Sequence, residues 1–152
     1  MPDAEFDVRV LDGPLDPVAA MAAFTARNAD SGGVASFVGQ VRGEGGVELL
    51  ELSHYAPLTG PGMIELARDA AARFGCDDIA VLHRVGRLRP GEAIVFVAAA
   101  ARHRRGALLA VDYLMDHLKS TAWFWKRERT PAGWCWIEPR EQDHEDRDRW
   151  AV

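Results

Sequence analysis

The run Ile79-Ala80-Val81-Leu82-His83-Arg84-Val85, followed past Arg89-Pro90-Gly91 by Ala93-Ile94-Val95-Phe96-Val97-Ala98-Ala99-Ala100, decides the fold class. Two apolar stretches of strand length broken by a Pro-Gly turn read as antiparallel neighbours in a hairpin. A parallel pair would need a crossover of a dozen or more residues between them. The same pattern recurs outward along the chain. Residues 124–129 and 134–138 flank Thr130-Pro131-Ala132-Gly133, and residues 34–42 and 47–55 flank Gly43-Glu44-Gly45-Gly46. Both read as further hairpins, the latter with a mobile tip. Phe6, Val8 and Val10 alternate with polar residues, so the chain opens on a half-buried strand.

Helices separate these strands. Asp16-Pro17 supplies an N-cap and a first-turn proline for a helix running to about Asn28. Pro61 opens a second helix with Ile64, Ala67, Ala71 and Phe74 on one face, and Gly75 ends it. The third runs over about residues 104–119 with a stripe of Leu108, Val111, Met115 and Leu118. Residues 140–149 are a charged run, a solvated helix or tail. Paired antiparallel strands between helices give an α+β class. The 152 residues are expected to form one domain, 1–152, with about 141–152 as its charged C-terminal segment.

The composition excludes several functions. A net charge of −5 argues against a broad nucleic-acid surface. The longest uncharged apolar run, residues 93–101, is far short of the roughly 18 residues of a membrane span. Asp3, Glu5 and Asp7 carry the wrong charge for a targeting peptide. Cys76 and Cys135 make no disulfide framework, so a cytoplasmic, reducing setting is expected. His54, His83 and His117 lack ligand spacing, and Asp112 and Asp116 read as a solvated helix face, so no metal is expected. No phosphate loop, dinucleotide-binding glycine pattern or serine-nucleophile elbow is present.

Only two of the 18 basic residues are lysine, Lys119 and Lys126. An ammonium can release its proton, whereas guanidinium cannot. Lys119 ends the third helix, where a cation also suits the helix dipole. Lys126 follows Trp123, Phe124 and Trp125. Aromatic desolvation would make it reactive, or its stem lies over tryptophan with the head in water. On that strand Phe124, Lys126 and Glu128 share one face, and Trp125 and Arg127 the other. His103-Arg104-Arg105 open the third helix. They form either an anion pocket at the helix N-terminus or a solvated strand end. Arg42 ends a strand beside the glycine-rich tip.

Six pieces, in order, resemble the large subunit of molybdopterin synthase. They are Phe37-Val38-Gly39-Gln40-Val41-Arg42; Leu52-Ser53-His54-Tyr55; His83-Arg84-Val85-Gly86 with Pro90-Gly91-Glu92; Arg102-His103-Arg104; Tyr113-Leu114-Met115-Asp116-His117-Leu118-Lys119; and Phe124-Trp125-Lys126-Arg127-Glu128. The resemblance spans nearly the whole chain. It implies an α/β hammerhead-like fold with an added small antiparallel subdomain. It also implies a sulfurtransferase that converts cyclic pyranopterin monophosphate to molybdopterin without a cofactor of its own. Sulfur would arrive as the C-terminal Gly-Gly thiocarboxylate of a small ubiquitin-like partner, in a heterotetramer built on a dimer of large subunits. By this resemblance Lys119 is the essential lysine and Lys126 a second pocket lysine. His103, Arg104 and Arg42 hold substrate, Gln40, Val41, Arg127 and Glu128 belong to the same substrate-binding set, and Phe37 and Met115 complete it as pocket wall. Gln40 stands where some members carry lysine, and Arg105 and Gly106 replace small polar residues. The rival readings are a non-catalytic module for a protein C-terminus or phosphate ligand, a structural oligomer subunit, and a persulfide enzyme using Cys76 or Cys135.

Overall fold

The structure is a computed structural model that describes residues 6–120 and 123–151; Asp3 and Glu5 lie outside them. The described strands are β1 (Asp7–Leu11), β2 (Gly33–Gln40), β3 (Leu49–His54), β4 (Cys76–Arg84), β5 (Gly86–Leu88), β6 (Ala93–Ala101), β7 (Phe124–Thr130) and β8 (Gly133–Ile137). The helices are α1 (Pro17–Arg27), α2 (Ala56–Phe74), α3 (Arg104–Ser120) and α4 (Glu141–Asp148).

β4 and β6 pair antiparallel as expected, with Val81 opposite Val97 and Leu82 opposite Phe96. Their connection carries more than a turn. Gly86, at φ +94°, swings the chain out of the first sheet. β5 then pairs with β3, Leu88 opposite Leu50. One hairpin therefore stitches together two four-stranded sheets, ordered β1-β4-β6-β2 and β5-β3-β7-β8. All pairings are antiparallel except β1 with β4. The fold is α+β with a second antiparallel sheet.

The first sheet is buried on both faces, which is why β6 reads as an unbroken apolar run. Val81, Val95, Val97 and Ala99 meet Met63, Leu66 and Ala70 of α2 and Ala110, Leu114 and Leu118 of α3. Leu82, Phe96, Ala98 and Ala100 meet Phe24 of α1 on the other side. Each large side chain buried here stabilises by about 1.5–3 kcal/mol. Val41, Leu50, Leu52, Val85 and Leu88 join the two sheets.

Several expectations need correction. β2 and β3 are not a hairpin: β2 pairs with β6, and β3 with β5 and β7. The chain leaves the first sheet at Val41, whose N–H and C=O are taken by Glu92 and Gly91. The second helix begins at Ala56, with Pro57 in its first turn and Pro61 inside it. Tyr55 C=O anchors that start by accepting from the N–H groups of Leu58 and Thr59. Its buried face is Thr59, Met63, Leu66, Ala67 and Ala70, while Ile64 is exposed. In α3 the small residues Ala107 and Ala110 face the core and Leu108 faces solvent. The C-terminal run is a docked helix. Arg149 bridges Asp112 and Asp116 at 2.6 and 2.8 Å, and Trp150 donates to Asp116 at 2.7 Å. Trp150 also packs edge-on against Phe74 and Tyr113. Asp112 and Asp116 are thus a clasp for the C-terminus, not a solvated face.

Candidate active site

A cleft of about 440 Å³ opens between the two sheets, below the C-terminal end of α3. β2 and its exit supply Gln40, Val41 and Arg42, and the end of α3 supplies Lys119. Lys126 and Glu128 come from β7, and Glu138, Arg140 and Asp143 from the segment entering α4. Leu50, Ile94 and Ile137 are its apolar lining. A narrow slot of about 70 Å³ continues inward past both lysines, between Leu52, Leu118, Phe124 and His83. The two-residue period of β7 aims Lys126 inward, and the end of α3 brings Lys119 to the same cavity. Seven residues of spacing therefore place two ammonium groups on one cavity from two different elements.

The site is electrostatically loaded. Lys119 is reached by solvent, yet the concavity surrounds it with protein on most sides. Burial lowers its pKa from the ordinary lysine value, and the charge of Lys126 lowers it further, with smaller contributions from Arg140 and Arg42. Asp143 pulls the other way. Burial would raise the Asp143 carboxyl, but hydrogen bonds from the Arg140 side chain and N–H outweigh it and hold it low. Among the described residues, none of Arg42, Lys119 and Lys126 has a carboxylate within 4.0 Å. These cations are free to meet an anion from outside.

His83 closes the slot. It stacks on Phe124 at 3.9 Å between ring centroids. Burial, then the nearby positive charges, hold it down to about 4, against its hydrogen bond to the Arg84 carbonyl. The ring is neutral at pH 7. Its Nδ1 lies 2.9 Å from that carbonyl, which can only accept, so Nδ1 carries the proton and Nε2 is bare.

Of the residues singled out in the sequence, the cleft gathers Gln40, Val41, Arg42, Lys119, Lys126 and Glu128. Arg127 points to the opposite face of β7, where its Nε donates to Glu51 at 2.7 Å and its guanidinium lies over Trp134. Phe37 is exposed on β2, and Met115 packs against the core one turn before Lys119; neither lines the cleft. His103 and Arg104 are exposed at the opposite end of the 17-residue α3. At 1.5 Å per residue that is about 24 Å from Lys119. Sequence reasoning missed Arg140, Asp143, Glu138 and His83. The signal for the first two was an acid three residues after Arg140 at the head of the charged run, a capping spacing. Cys76 and Cys135 are free thiols away from the cleft lining. Burial, helped by Asp77, pushes Cys76 up to about 11, so it is a poor nucleophile.

The sequence model of the MoaE protein family matches residues 10–121. The chain belongs to the MoaE family. It is 48% identical over 144 residues to a molybdopterin synthase catalytic subunit of Caulobacter vibrioides, covering 94% of this chain and 96% of that one. The molybdopterin biosynthesis MoaE protein from Burkholderia ambifaria superimposes with a TM-score of 0.82 at 40% identity, over 97% of this chain and 99% of the other. A complex of subunits 1 and 2 of the molybdopterin-converting factor from Helicobacter pylori shares the MoaE fold, with a TM-score of 0.77 at 20% identity over 88% and 91% of the two chains. Among the described residues no helix is long and apolar enough to cross a membrane.

Proposed function

We propose that the chain, over residues 1–152, is the catalytic subunit of a molybdopterin synthase. In this reading it converts cyclic pyranopterin monophosphate to molybdopterin, with sulfur from the C-terminal thiocarboxylate of a small ubiquitin-like partner. The observation that carries the reading is the convergence of Arg42, Lys119 and Lys126, none held by a carboxylate among the described residues, on one cleft. Both reactants are anions, a cyclic phosphate and a thiocarboxylate, and both suit such a pocket. Leu50, Ile94 and Ile137 give the same cleft an apolar wall beside these charges.

Lys119 is the group for proton movement. Its lowered pKa brings the ammonium closer to release, so it can donate a proton to the carbonyl oxygen where charge develops when the acyl carbon is attacked, and take one back as the free amine. The free amine is also competent as a transient acyl acceptor. Lys126 and Arg42 hold the anions, Gln40 and Glu128 border them, and Arg140 adds a further cation. No cysteine takes part, because the partner carries the sulfur.

The two-subunit assembly of the Helicobacter pylori relative supports the partner reading. His103 and Arg104 enter through a second copy of the chain. They cannot reach the cleft of their own chain from the far end of α3, and in a homodimer each copy would lend its pair to the other. The two free thiols suit a reducing compartment, so the cytoplasm completes the proposal.

The test combines the purified chain, thiocarboxylated partner and cyclic pyranopterin monophosphate, and assays the dithiolene product. Product is expected. A folded chain that binds partner and forms no product overturns catalysis and leaves a binding module.

A further inference from the structure

We infer that Arg84 and Glu92 are positioning residues that set where Arg42 enters the cleft. This rests on the reading of Arg42 as an anion-binding group. The register of β2 against β6 breaks between Gly39 and Gln40, so past Gln40 no sheet ladder holds the chain. The turn of residues 89–92 takes over. Val41 N–H donates to the Glu92 carbonyl at 3.0 Å, and Gly91 N–H donates to the Val41 carbonyl at 2.8 Å. On the other side of Arg42, Gly43 runs against the ring of Pro90, where a side chain on Gly43 would sit 3.3 Å from the proline Cβ. Both neighbours of Arg42 are therefore fixed by the same four residues.

That turn is itself held from below. One Glu92 carboxylate oxygen accepts from Arg89 N–H at 2.8 Å and from the Arg84 guanidinium at 3.2 Å. The second arm of Arg84 donates to the Arg87 carbonyl at 3.1 Å. Arg84 is buried on β4, and its Nε has no partner. A guanidinium held with one donor unsatisfied is committed to bracing the turn, since leaving that donor dry carries a cost. Gln40, the cleft residue at the end of β2, lines a small pocket together with the same pair. The line of support runs from β4 through Arg84 and Glu92 to the turn, then through the Val41 backbone to Arg42.

The test is a double-mutant cycle of Glu92→Gln and Arg42→Ala in the assembled enzyme, with Arg84→Lys as a second probe of the pair. KM for the cyclic pterin monophosphate, kcat, and amide exchange at Val41 and Gly91 are measured. Glu92→Gln is expected to raise KM about 5- to 10-fold with kcat within about twofold, as for one charge-assisted hydrogen bond lost in binding. In the Arg42→Ala background it should add less than about twofold. Exchange at Val41 and Gly91 should quicken at least about tenfold while Val95 and Val97 stay protected. Arg84→Lys, which keeps the charge but loses the fork, should fall between. Independent, multiplying effects on KM, or unchanged exchange at Val41 and Gly91, overturn the proposal. An Arg42→Ala variant with unchanged KM overturns the anion-binding reading of Arg42 instead, and the exchange result then decides the positioning link by itself.

Discussion

β7 carries two kinds of cation on successive residues. Lys126 faces the cleft with no carboxylate in contact among the described residues, whereas Arg127 faces outward, bonded to Glu51 and stacked between Trp134 and Trp136 at 4.2 and 5.6 Å. Arg87 and Arg129 join the outer set, the first on Glu51 and the second near Glu48. The outer face spends its charges on itself, since every guanidinium there has an acid or a ring. The inner face leaves its charges open, lowers the pKa of one of them and seals the far end with a neutral imidazole. A cation satisfied by its own chain stabilises a sheet, and one left without a partner waits for a ligand. The residue types follow. Arginine, planar and permanently charged, supplies the paired cations of the static face, and both lysines of the chain stand in the cleft beside Arg42 and Arg140.

The largest effect that would break this contrast lies at Lys119. Lys119→Ala is expected to lower kcat by about 10²–10⁴-fold, the range for a lost general acid–base group, with folding and partner binding retained. Lys119→Arg should stay at least about tenfold down, because the charge returns without a movable proton. Rapid-quench assays of product with saturating partner measure both. Arginine restoring full rate would reduce Lys119 to a mere charge. Lys126→Ala comes next, with kcat/KM down about 10- to 100-fold for one charge-assisted contact. Lys126→Met also tests the coupling between the lysines. The Lys126 charge lowers the pKa of Lys119, so removing it should move the alkaline limb of the pH–rate profile to higher pH. A limb that does not move separates the two residues.

Much of this is legible in the chain. The Pro-Gly break and the apolar runs around it announce β4 and β6, because a strand buried on both faces has no polar alternation to hide it. The two-residue period of residues 124–128 is enough to sort Lys126 from Arg127. Other features are hidden by tertiary choices. The tip of residues 43–46 looks like a hairpin turn, but Val41 is captured by a turn fifty residues downstream, and only the fold decides that competition. Pro61 reads as the first-turn proline of α2, and Pro57 already fills that role. Leu108 looks like core, yet alanines face the sheet in α3, since close approach there favours small side chains. Arg140 and Asp143 line the cleft at the head of the segment whose far end, Arg149 and Trp150, docks on α3, a long-range contact with no local periodicity. The separation of His103 and Arg104 from Lys119, by contrast, follows from helix length alone once the first two are placed at the start of α3 and the third at its end.

The slot beneath the lysines offers a pH-dependent contrast of intermediate size. His83 takes a proton only near 4 in the folded chain, against an ordinary value of 6.5. The unfolded chain therefore binds the proton first, and stability falls as pH drops from about 6.5 to 4. The loss is on the order of 3 kcal/mol for that difference. Urea midpoints between pH 7 and 4.5 should decline in the wild type, and the decline should flatten in His83→Gln even if its stability at pH 7 is lower. Parallel declines in the two proteins would mean that the inner face does not hold this ring neutral.

The smallest effect belongs to the outer face, and it sharpens the contrast by what it leaves untouched. Glu51 accepts from Arg127 and from Arg87, and these two bonds, the first the stronger, hold its carboxyl below the ordinary value. Glu51→Ala should therefore cost about 1 kcal/mol at neutral pH, the scale of partly exposed pairs, and leave kcat and KM within about twofold. The sign with pH follows from the direction of the shift. A carboxyl held low contributes its stability above the unfolded pKa and loses it as pH falls through the folded one. Thermal melts of variant and wild type should thus converge in acid. If Glu51→Ala instead cuts turnover as Lys126→Ala does, the outer pairs must be setting the strand that carries Lys126. The two faces of β7 would then be one device, coupled through a backbone whose alternate residues point to opposite sides.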